Sequence, residues 1–183
     1  MKASLRLTLQ IIFVVFILFF LIPLFLPSTY TITADRIINA PDSVVFNLVN
    51  NLRTRKQWSP FMQDFTMKNT FSGPAEGVGA KRSWHSKKSG SGNIEIVQSV
   101  PYKVIKTNMD FGAPGTATGY WTFKPYEEGT KVSWQLHFSG LQYPFGKWLG
   151  LFLKKSIRQI LESGLDALKI VAEDDSARNK ETR

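Results

Sequence analysis

The sequence predicts an α+β fold, in which an antiparallel sheet packs against one long C-terminal helix, preceded by one N-terminal transmembrane helix. Three observations lead to this expectation. An apolar run without charges lies near the N-terminus. A series of strand-like segments with short connections follows it, and after Pro144 the apolar residues recur at steps of three and four.

Residues 7–26, LTLQIIFVVFILFFLIPLFL, carry no charge and are almost entirely apolar. About 20 such residues, at ~1.5 Å each, match the ~30 Å hydrocarbon core of a bilayer. Lys2 and Arg6 precede the run, and the positive-inside rule therefore places residues 1–6 in the cytoplasm. We expect a single-pass signal anchor in the cytoplasmic membrane, with the folded domain on the extracytoplasmic (periplasmic) side.

Two other interpretations of this segment stay open. A cleavable signal peptide has a shorter apolar stretch, about 7–15 residues, and a small-x-small cleavage site. Here the run is longer, and the LPSTY that follows lacks that signature. A buried helix of a soluble protein would be unusually apolar on all sides. The signal anchor is therefore favoured.

The globular domain is predicted to cover residues 29–175. It opens with a β-branched strand, TYTITADRIINA, and a short helix beginning near Pro41 and Asp42. A polar turn, RTRKQWSPF, comes next. Six strand-like segments follow: DFTMKNTFSG, AKRSWHSKK, GNIEIVQSV, YKVIKTNMDFG, TATGYWTFKP and TKVSWQLHFSG. Their short links favour antiparallel neighbours, which makes a sheet of about seven strands.

The last part of the chain predicts one long amphipathic helix. Its apolar positions are Leu149, Phe152, Leu153, Ile157, Ile160, Leu161, Leu165, Leu168 and Val171. Such a stripe needs a partner, and the sheet is the one large surface that can provide it. Residues 176–183 are charged and are predicted to be a disordered tail.

The composition limits the partners. The net charge is +9, which suits either an anionic lipid surface or a basic face that is simply solvated. Because the domain is expected outside the cytoplasm, a membrane is favoured and nucleic acid is not expected. No cysteine is present, so the chain forms no disulfide and has no thiol nucleophile or thiolate metal ligand.

The chain contains stretches that resemble catalytic motifs, but their sequence context does not support that interpretation. The stretch GPAEGVGAKRS lacks the spacing of a phosphate loop and is followed by a strand, not a helix. His85 and His137 are the only histidines, and neither has an obvious carboxylate partner. We therefore expect no metal and no cofactor. A nucleophile–His–acid triad assembled in space stays open, although His137 falls on the face away from the aromatic rings.

The order of elements resembles the START-like (SRPBCC) superfamily, which includes the polyketide cyclase/dehydrase and lipid-transport families. The motifs that carry the resemblance are WSP at Trp58, GVGAKRSW, the hairpin PYEEGTKVSW and the closing GLDALK. The resemblance covers about residues 30–174. It implies a helix-grip (Bet v 1-like) fold, with a curved sheet around the C-terminal helix and a hydrophobic cavity between them. The superfamily shares no catalytic triad, so the catalytic residues stay unknown.

Alternation along the strands predicts which residues face the helix. Large rings and small residues share this face, and Gly164 within the helix indicates a close approach, since Gly costs ~1 kcal/mol relative to Ala there. A solid core is the alternative for each ring. The predicted cavity-lining residues are Trp84, Ile96, Thr107, Met109, Phe111, Trp121, Phe123, Trp134, Leu136, Leu161 and Leu165. Arg82, Thr107 or a Tyr hydroxyl such as Tyr120 could orient a ligand.

About five residues separate the apolar run from the first strand, which spans ~15–20 Å when extended. The domain is therefore held against the membrane surface. The sequence favours membrane-tethered binding or transfer of a lipid, isoprenoid or polyketide-like ligand in the cavity. The alternatives are a cyclase/dehydrase-type enzyme that acts on such a ligand and an interaction module with a collapsed cavity.

Overall fold

A computed structural model describes residues 2–112 and 115–181 of the chain. Three helices and seven strands form its main elements, with short 3₁₀ helices at Ile22–Leu24, Thr54–Gln57 and Pro60–Met62. In chain order the main elements are α1 (Lys2–Leu21), β1 (Tyr30–Ile38), α2 (Asp42–Asn50), β2 (Lys68–Ser72), β3 (Lys81–Ser86), β4 (Gly90–Val100), β5 (Val104–Asp110), β6 (Thr116–Tyr126), β7 (Gly129–Ser139) and α3 (Phe145–Glu181).

The N-terminal helix has the length and composition of a membrane span. The apolar stretch Leu5–Leu24 contains 20 residues, and only 6% of its most apolar window is buried in the structure. A helix at ~1.5 Å per residue crosses a ~30 Å hydrocarbon layer with this length. A signal sequence shares these properties. The low burial differs from that of the core helix of a soluble protein, which is mostly buried.

The domain contacts the last turn of α1. Tyr143 Oη donates a hydrogen bond to the carbonyl oxygen of Phe20 at 2.7 Å. Trp148 Nε1 donates to the carbonyl oxygen of Phe19 at 3.0 Å, and the rings of these two residues stack. The last four carbonyl groups of a helix have no partner within it. Tyr143, just before α3, and Trp148, in its first turn, therefore cap the C-terminal end of α1.

The sheet has seven strands in the order β1-β7-β6-β5-β4-β3-β2, and every pair is antiparallel. Strands β6 and β7 form its central hairpin, in which Trp121 lies directly opposite Trp134. Buried and exposed residues alternate along β3, β6 and β7. The register shifts between Ile96 and Gln98, a bulge that bends β4. The predicted α+β fold and the inward faces of its strands are confirmed.

The long helix α3 packs across the inner face of the sheet, as the helix-grip prediction required. Its second half packs with α2 in the hydrophobic core, where Leu165, Leu168 and Ala172 of α3 are fully buried. Apart from alanines, the hydrophobic core residues at 2% exposure or less are Ile38, Val45, Val49, Leu52, Trp58, Ile96, Ile105, Trp121, Val132, Leu161, Leu165 and Leu168. The hydrophobic interior is therefore densest around the second half of α3.

The structure differs from the sequence predictions at the C-terminus. Residues 176–183 were expected to form a disordered tail, yet α3 continues through Glu181. Ser176 is only 6% exposed, so the domain still covers the helix there. Arg178 forms ion pairs with Asp174 and Asp175, one turn before it, which support the last turns. Arg178, one of the charges that suggested disorder, instead forms contacts along the helix. Residues 182–183 lie outside the described chain.

Candidate functional site

A cavity of about 800 Å³ lies between the inner face of the sheet and the first half of α3. Its wall is mostly apolar. Ligand sites in proteins commonly measure ~300–1,000 Å³ and combine an apolar wall with a few polar groups. The interior is therefore packed at one end of the helix and hollow at the other.

Seven of the eleven predicted cavity-lining residues lie on this wall. They come from strands β3, β5, β6 and β7 and from the residue that follows β5, and all of them face α3. They are Trp84, Thr107, Met109, Phe111, Trp121, Trp134 and Leu136.

The other four predicted residues do not line the cavity, and this part of the prediction is corrected. Ile96, Leu161 and Leu165 are fully buried in the packed end of the interior. Phe123 packs edge to face against Phe46 of α2, with ring centroids 5.5 Å apart. Alternation places a residue on the correct face of the sheet. It does not reveal which part of that face another helix covers.

Three tryptophans close the cavity on the side of the core. Trp121 and Trp134 stack with ring centroids 4.2 Å apart, and both line the cavity. Behind them, Trp58 meets each ring edge to face at 5.6 and 6.0 Å. Trp58 is 2% exposed, and its Nε1 donates to the carbonyl oxygen of Leu48 at 3.2 Å. These rings form a rigid floor between the hollow and packed ends.

Gly164 permits the close approach of α3 to this floor. A Cβ atom added at Gly164 would lie 2.9 Å from Trp134 Cζ3 and 3.0 Å from Pro60 Cδ. Any side chain there would push the helix away from the tryptophan floor. The sequence indicated a spatial reason for this glycine, and the contact with Trp134 provides it.

The segment that follows α2 forms one side of the cavity, which the sequence did not indicate. The sequence predicts a polar turn over residues 53–61 and a strand from Asp64, whereas β2 begins only at Lys68. The predicted turn nevertheless combines tryptophan, phenylalanine and proline in a few residues. That aromatic content is the signal that could have identified it. Its wall residues are Leu52, Arg55, Ser59, Pro60, Phe61, Asp64 and Met67.

Two buried arginines reach the cavity. Arg55 is 7% exposed, and its Nε and Nη2 donate to the carbonyl oxygen of Val49 at 3.1 and 2.9 Å. Burial, together with the nearby charge of Arg82, lowers the pKa of Arg55 to about 9. Arg82 is 6% exposed, and burial lowers its pKa to about 10. Both groups are therefore still cationic at neutral pH.

Asp64 is the one carboxylate on the described wall, and hydroxyl and amide groups already surround it. Its Oδ2 accepts hydrogen bonds from Ser86 Oγ at 2.5 Å and from Ser89 Oγ at 2.8 Å. Its Oδ1 accepts from the amide and hydroxyl groups of Thr66 at 2.9 and 2.7 Å. These bonds, the one from Ser86 first, hold the pKa of Asp64 well below its usual range. Asp64 thus fixes the loop before β2 against the β3–β4 hairpin.

Exposed wall residues mark the opening of the cavity. They include Ser89 of the β3–β4 hairpin and Phe61 of the segment after α2. Leu153 and Lys154 of α3 are also exposed, Leu153 at 40%. A ligand can therefore enter between the hairpin and the first half of α3.

The remaining candidate residues lie elsewhere. Tyr120, suggested as an inward hydroxyl, lies on the outer face, where Lys106 Nζ is 5.3 Å from its ring centroid. His137 hydrogen-bonds to the hydroxyl of Thr31 at 2.9 Å, and His85 to that of Ser91, a wall residue, at 2.7 Å. Neither histidine itself lines the cavity. Within residues 2–112 and 115–181, no cluster of metal-ligating side chains occurs.

The sequence and the fold have known counterparts. The profile of the family described as polyketide cyclase/dehydrase and lipid transport matches residues 29–173. The chain belongs to this family. The match covers all seven strands and most of α3, so the whole cavity lies within the family domain, and α1 precedes it. A search of curated proteins gave no match.

Solved structures with low sequence identity share the fold of this polyketide cyclase/dehydrase and lipid-transport family member. SA2116 from Staphylococcus aureus aligns with a TM-score of 0.64 at 14% identity, covering 81% of this chain and 96% of that one. TTHA0849 from Thermus thermophilus gives 0.60 at 22% identity, covering 80% and 99%. Ara h 8.0201 gives 0.55 at 10% identity, covering 76% and 97%. These neighbours establish the SRPBCC (Bet v 1-like) helix-grip fold.

Proposed function

We propose that this protein binds or transfers a hydrophobic ligand, such as a lipid, an isoprenoid or a polyketide-like molecule, at a membrane surface. The observation that carries the proposal is the cavity of about 800 Å³ with a mostly apolar wall in a member of a lipid-transport family. Water in such a cavity gains few hydrogen bonds, so an apolar ligand is favoured. The seven predicted residues on the wall are the proposed ligand contacts.

The start of α3 supports a position at the membrane interface. Tyr143 and Trp148, which bind the end of α1, are the residue types that concentrate at lipid headgroups. Beside them, Phe145 and Phe152 are 71% and 69% exposed. Leu153, next to Phe152, lies at the cavity opening. A bilayer around α1 would cover these rings and bring the opening close to the lipids.

The proposed topology has a cytoplasmic N-terminus and a domain on the opposite side. Because the chain lacks cysteine, Lys103→Cys supplies a single reporter thiol on an exposed turn of the domain. In sealed vesicles of known orientation, a membrane-impermeant maleimide should label this thiol only from the extracytoplasmic side. Ser4→Cys is the matched control and should be labelled only from the cytoplasmic side. Labelling of both positions from one side would contradict the topology.

Ligand capture can be tested with two substitutions on the same helix. Ile157→Trp places a large ring inside the cavity, whereas Ile170→Trp places one at a position that is 71% exposed. We expect lipid extracted from the purified full chain to be detected by mass spectrometry for the wild type and Ile170→Trp. The Ile157→Trp variant should yield no co-purified lipid. Absence of ligand from the wild type, or equal amounts in all three, would contradict the proposal.

The second candidate is a cyclase/dehydrase-type enzyme, an activity that the description of the matching family includes. General acid–base catalysis needs a group that can exchange a proton near the operating pH. Asp64 is a weak base because its hydrogen bonds stabilise the ionised form, and Arg82 stays protonated. Recovery of a chemically altered ligand that disappears with Arg82→Met would support catalysis. Recovery of the unaltered ligand from active membranes supports binding.

A further inference from the structure

Arg82 has no counter-ion among the residues that the structure describes. Its side chain is 6% exposed on the inner face of β3, and its Nε has no hydrogen-bond partner. The ion pairs found among residues 2–112 and 115–181 do not include Arg55 or Arg82. The guanidinium carbon of Arg82 lies 4.9 Å from the centroid of the Trp84 ring. Two cations thus line one apolar cavity, and neither forms an ion pair within the described residues.

Such an arrangement is costly in an empty cavity. Removing a guanidinium group from water without a hydrogen-bonded anion is strongly unfavourable, and a second nearby cation adds repulsion. Arg55 has a structural role because it holds the carbonyl oxygen of Val49. Arg82 makes no comparable bond to the protein. Its donors are therefore free for a group that enters the cavity.

We propose that the cavity selects an amphiphile with an acidic head, a carboxylate or a phosphate, which Arg82 and Arg55 bind while the apolar part lies along α3. This inference rests on the proposed function, because it assumes that the cavity holds a hydrophobic ligand. Guanidinium groups bind carboxylate and phosphate oxygens through paired hydrogen bonds, and such bonds are stronger in an apolar environment.

The other charged groups on the wall agree with an anionic head. Asp64 lies near the opening, and its oxygens already accept four hydrogen bonds. Lys154 is exposed at the opposite side of the opening. Tyr30 is the remaining titratable residue on the described wall. The inner part of the cavity therefore carries only positive charge, and Phe111, Leu136 and Ile157 are available for the tail.

The test compares probes with one tail and different heads. The full chain, delipidated and reconstituted in phosphatidylcholine nanodiscs, is titrated with decanoate, decyl phosphate and 1-decanol. Fluorescence of the tryptophans in the cavity floor reports binding, and empty nanodiscs correct for partitioning. We expect at least one acid to bind tenfold or more tightly than 1-decanol. The acid that binds more tightly then shows whether the cavity prefers a carboxylate or a phosphate head.

Substitution of the unpartnered arginine gives the second arm. Arg82→Met should weaken binding of the preferred acid at least tenfold, leave 1-decanol binding unchanged, and leave the melting temperature equal or higher. Lys103→Met removes one exposed cation and should change none of these quantities. If Arg82→Met does not fold, Arg82 has a structural role. The relative affinities of the wild type for the three probes then test the acidic-head inference.

The outcomes separate the two proposals. Equal affinity for 1-decanol and both acids would overturn the acidic-head inference and leave the hydrophobic-ligand proposal intact. An unchanged acid affinity in a folded Arg82→Met variant would also overturn it. Failure of all three probes to bind would contradict the proposed function itself.

Discussion

The division of the interior into a packed and a hollow end predicts that two truncations on α3 have unequal costs. Leu165 is fully buried within the packed end. Ile157, two turns earlier, is half-buried and faces the cavity. We compare Leu165→Ala with Ile157→Ala, since both remove aliphatic carbons from the same helix and the same inward side.

The structure sets the expected magnitudes. Leu165→Ala removes contacts from a closed environment and leaves a void, which costs about 3 kcal/mol, within the ~2–5 kcal/mol known for such changes. Ile157→Ala only enlarges a space that is already present, so the loss is limited to the transfer term for a half-buried side chain, about 1 kcal/mol. Alanine has the higher helix propensity in both cases and reduces each cost by a few tenths of a kcal/mol.

Thermal unfolding of the full chain in nanodiscs, followed by near-ultraviolet circular dichroism, measures the difference. A gap of about 2 kcal/mol corresponds to ~4–8 °C in melting temperature for a domain of this size. Ile170→Ala, at an exposed position on the same helix, is the control and should change stability by less than about 0.5 kcal/mol. Equal costs at Leu165 and Ile157 would mean that the first half of α3 packs as tightly as the second. That result would refute the cavity.

Three further predictions follow from the site. Gly164→Ala should destabilise the fold by about 1 kcal/mol despite its better helix propensity, because the new Cβ would lie 2.9 Å from Trp134 Cζ3; a higher melting temperature would contradict the contact. Affinity for decyl phosphate should stay constant from pH 7 to 8.5 and fall as the pH rises through about 9 and 10, where Arg55 and Arg82 lose their charge. Titrations at a series of pH values measure this affinity, and a flat profile up to pH 10.5 would contradict binding by the two arginines. The pKa of Asp64 is lowered in the folded state, so its ionised form stabilises the fold above the unfolded pKa of about 4, and this stabilisation is lost at lower pH. Asp64→Asn should therefore reduce the fall in melting temperature between pH 5 and 2.5, and an unchanged fall would contradict this role.

The fold could be predicted from the sequence because the patterns that indicate it lie within short, continuous segments. Alternation along β6 and β7 identifies the inward rings, and short links leave few topologies other than an antiparallel meander. The period of apolar residues after Pro144 identifies α3. Seven of the eleven predicted residues lie on the cavity wall for the same reason, since each belongs to a strand-like segment whose faces were assigned correctly.

The features that the sequence did not indicate depend on contacts between distant segments. Ile157 and Leu161 belong to one helical stripe and look alike in sequence, and only the placement of α2 determines which of them is packed. Arg55 belongs to a segment that is polar by composition, yet it is 7% exposed because α2 and the tryptophan floor enclose it. Likewise, charges at Asp174 and Arg178 suggested disorder, whereas their i,i+4 pairing supports the helix.

The two ends of the interior have opposite effects on stability. An open cavity forgoes dispersion contacts along half of α3, and Arg82 adds the cost of an unpaired buried cation. The packed end, with Leu161, Leu165 and Leu168 fully buried, offsets these losses without contributing to the site. A bound anionic amphiphile would remove both costs at once, because its tail restores contacts and its head neutralises the arginine. The protein should therefore gain more stability from such a ligand than from a neutral one of equal length, and that difference should disappear in Arg82→Met.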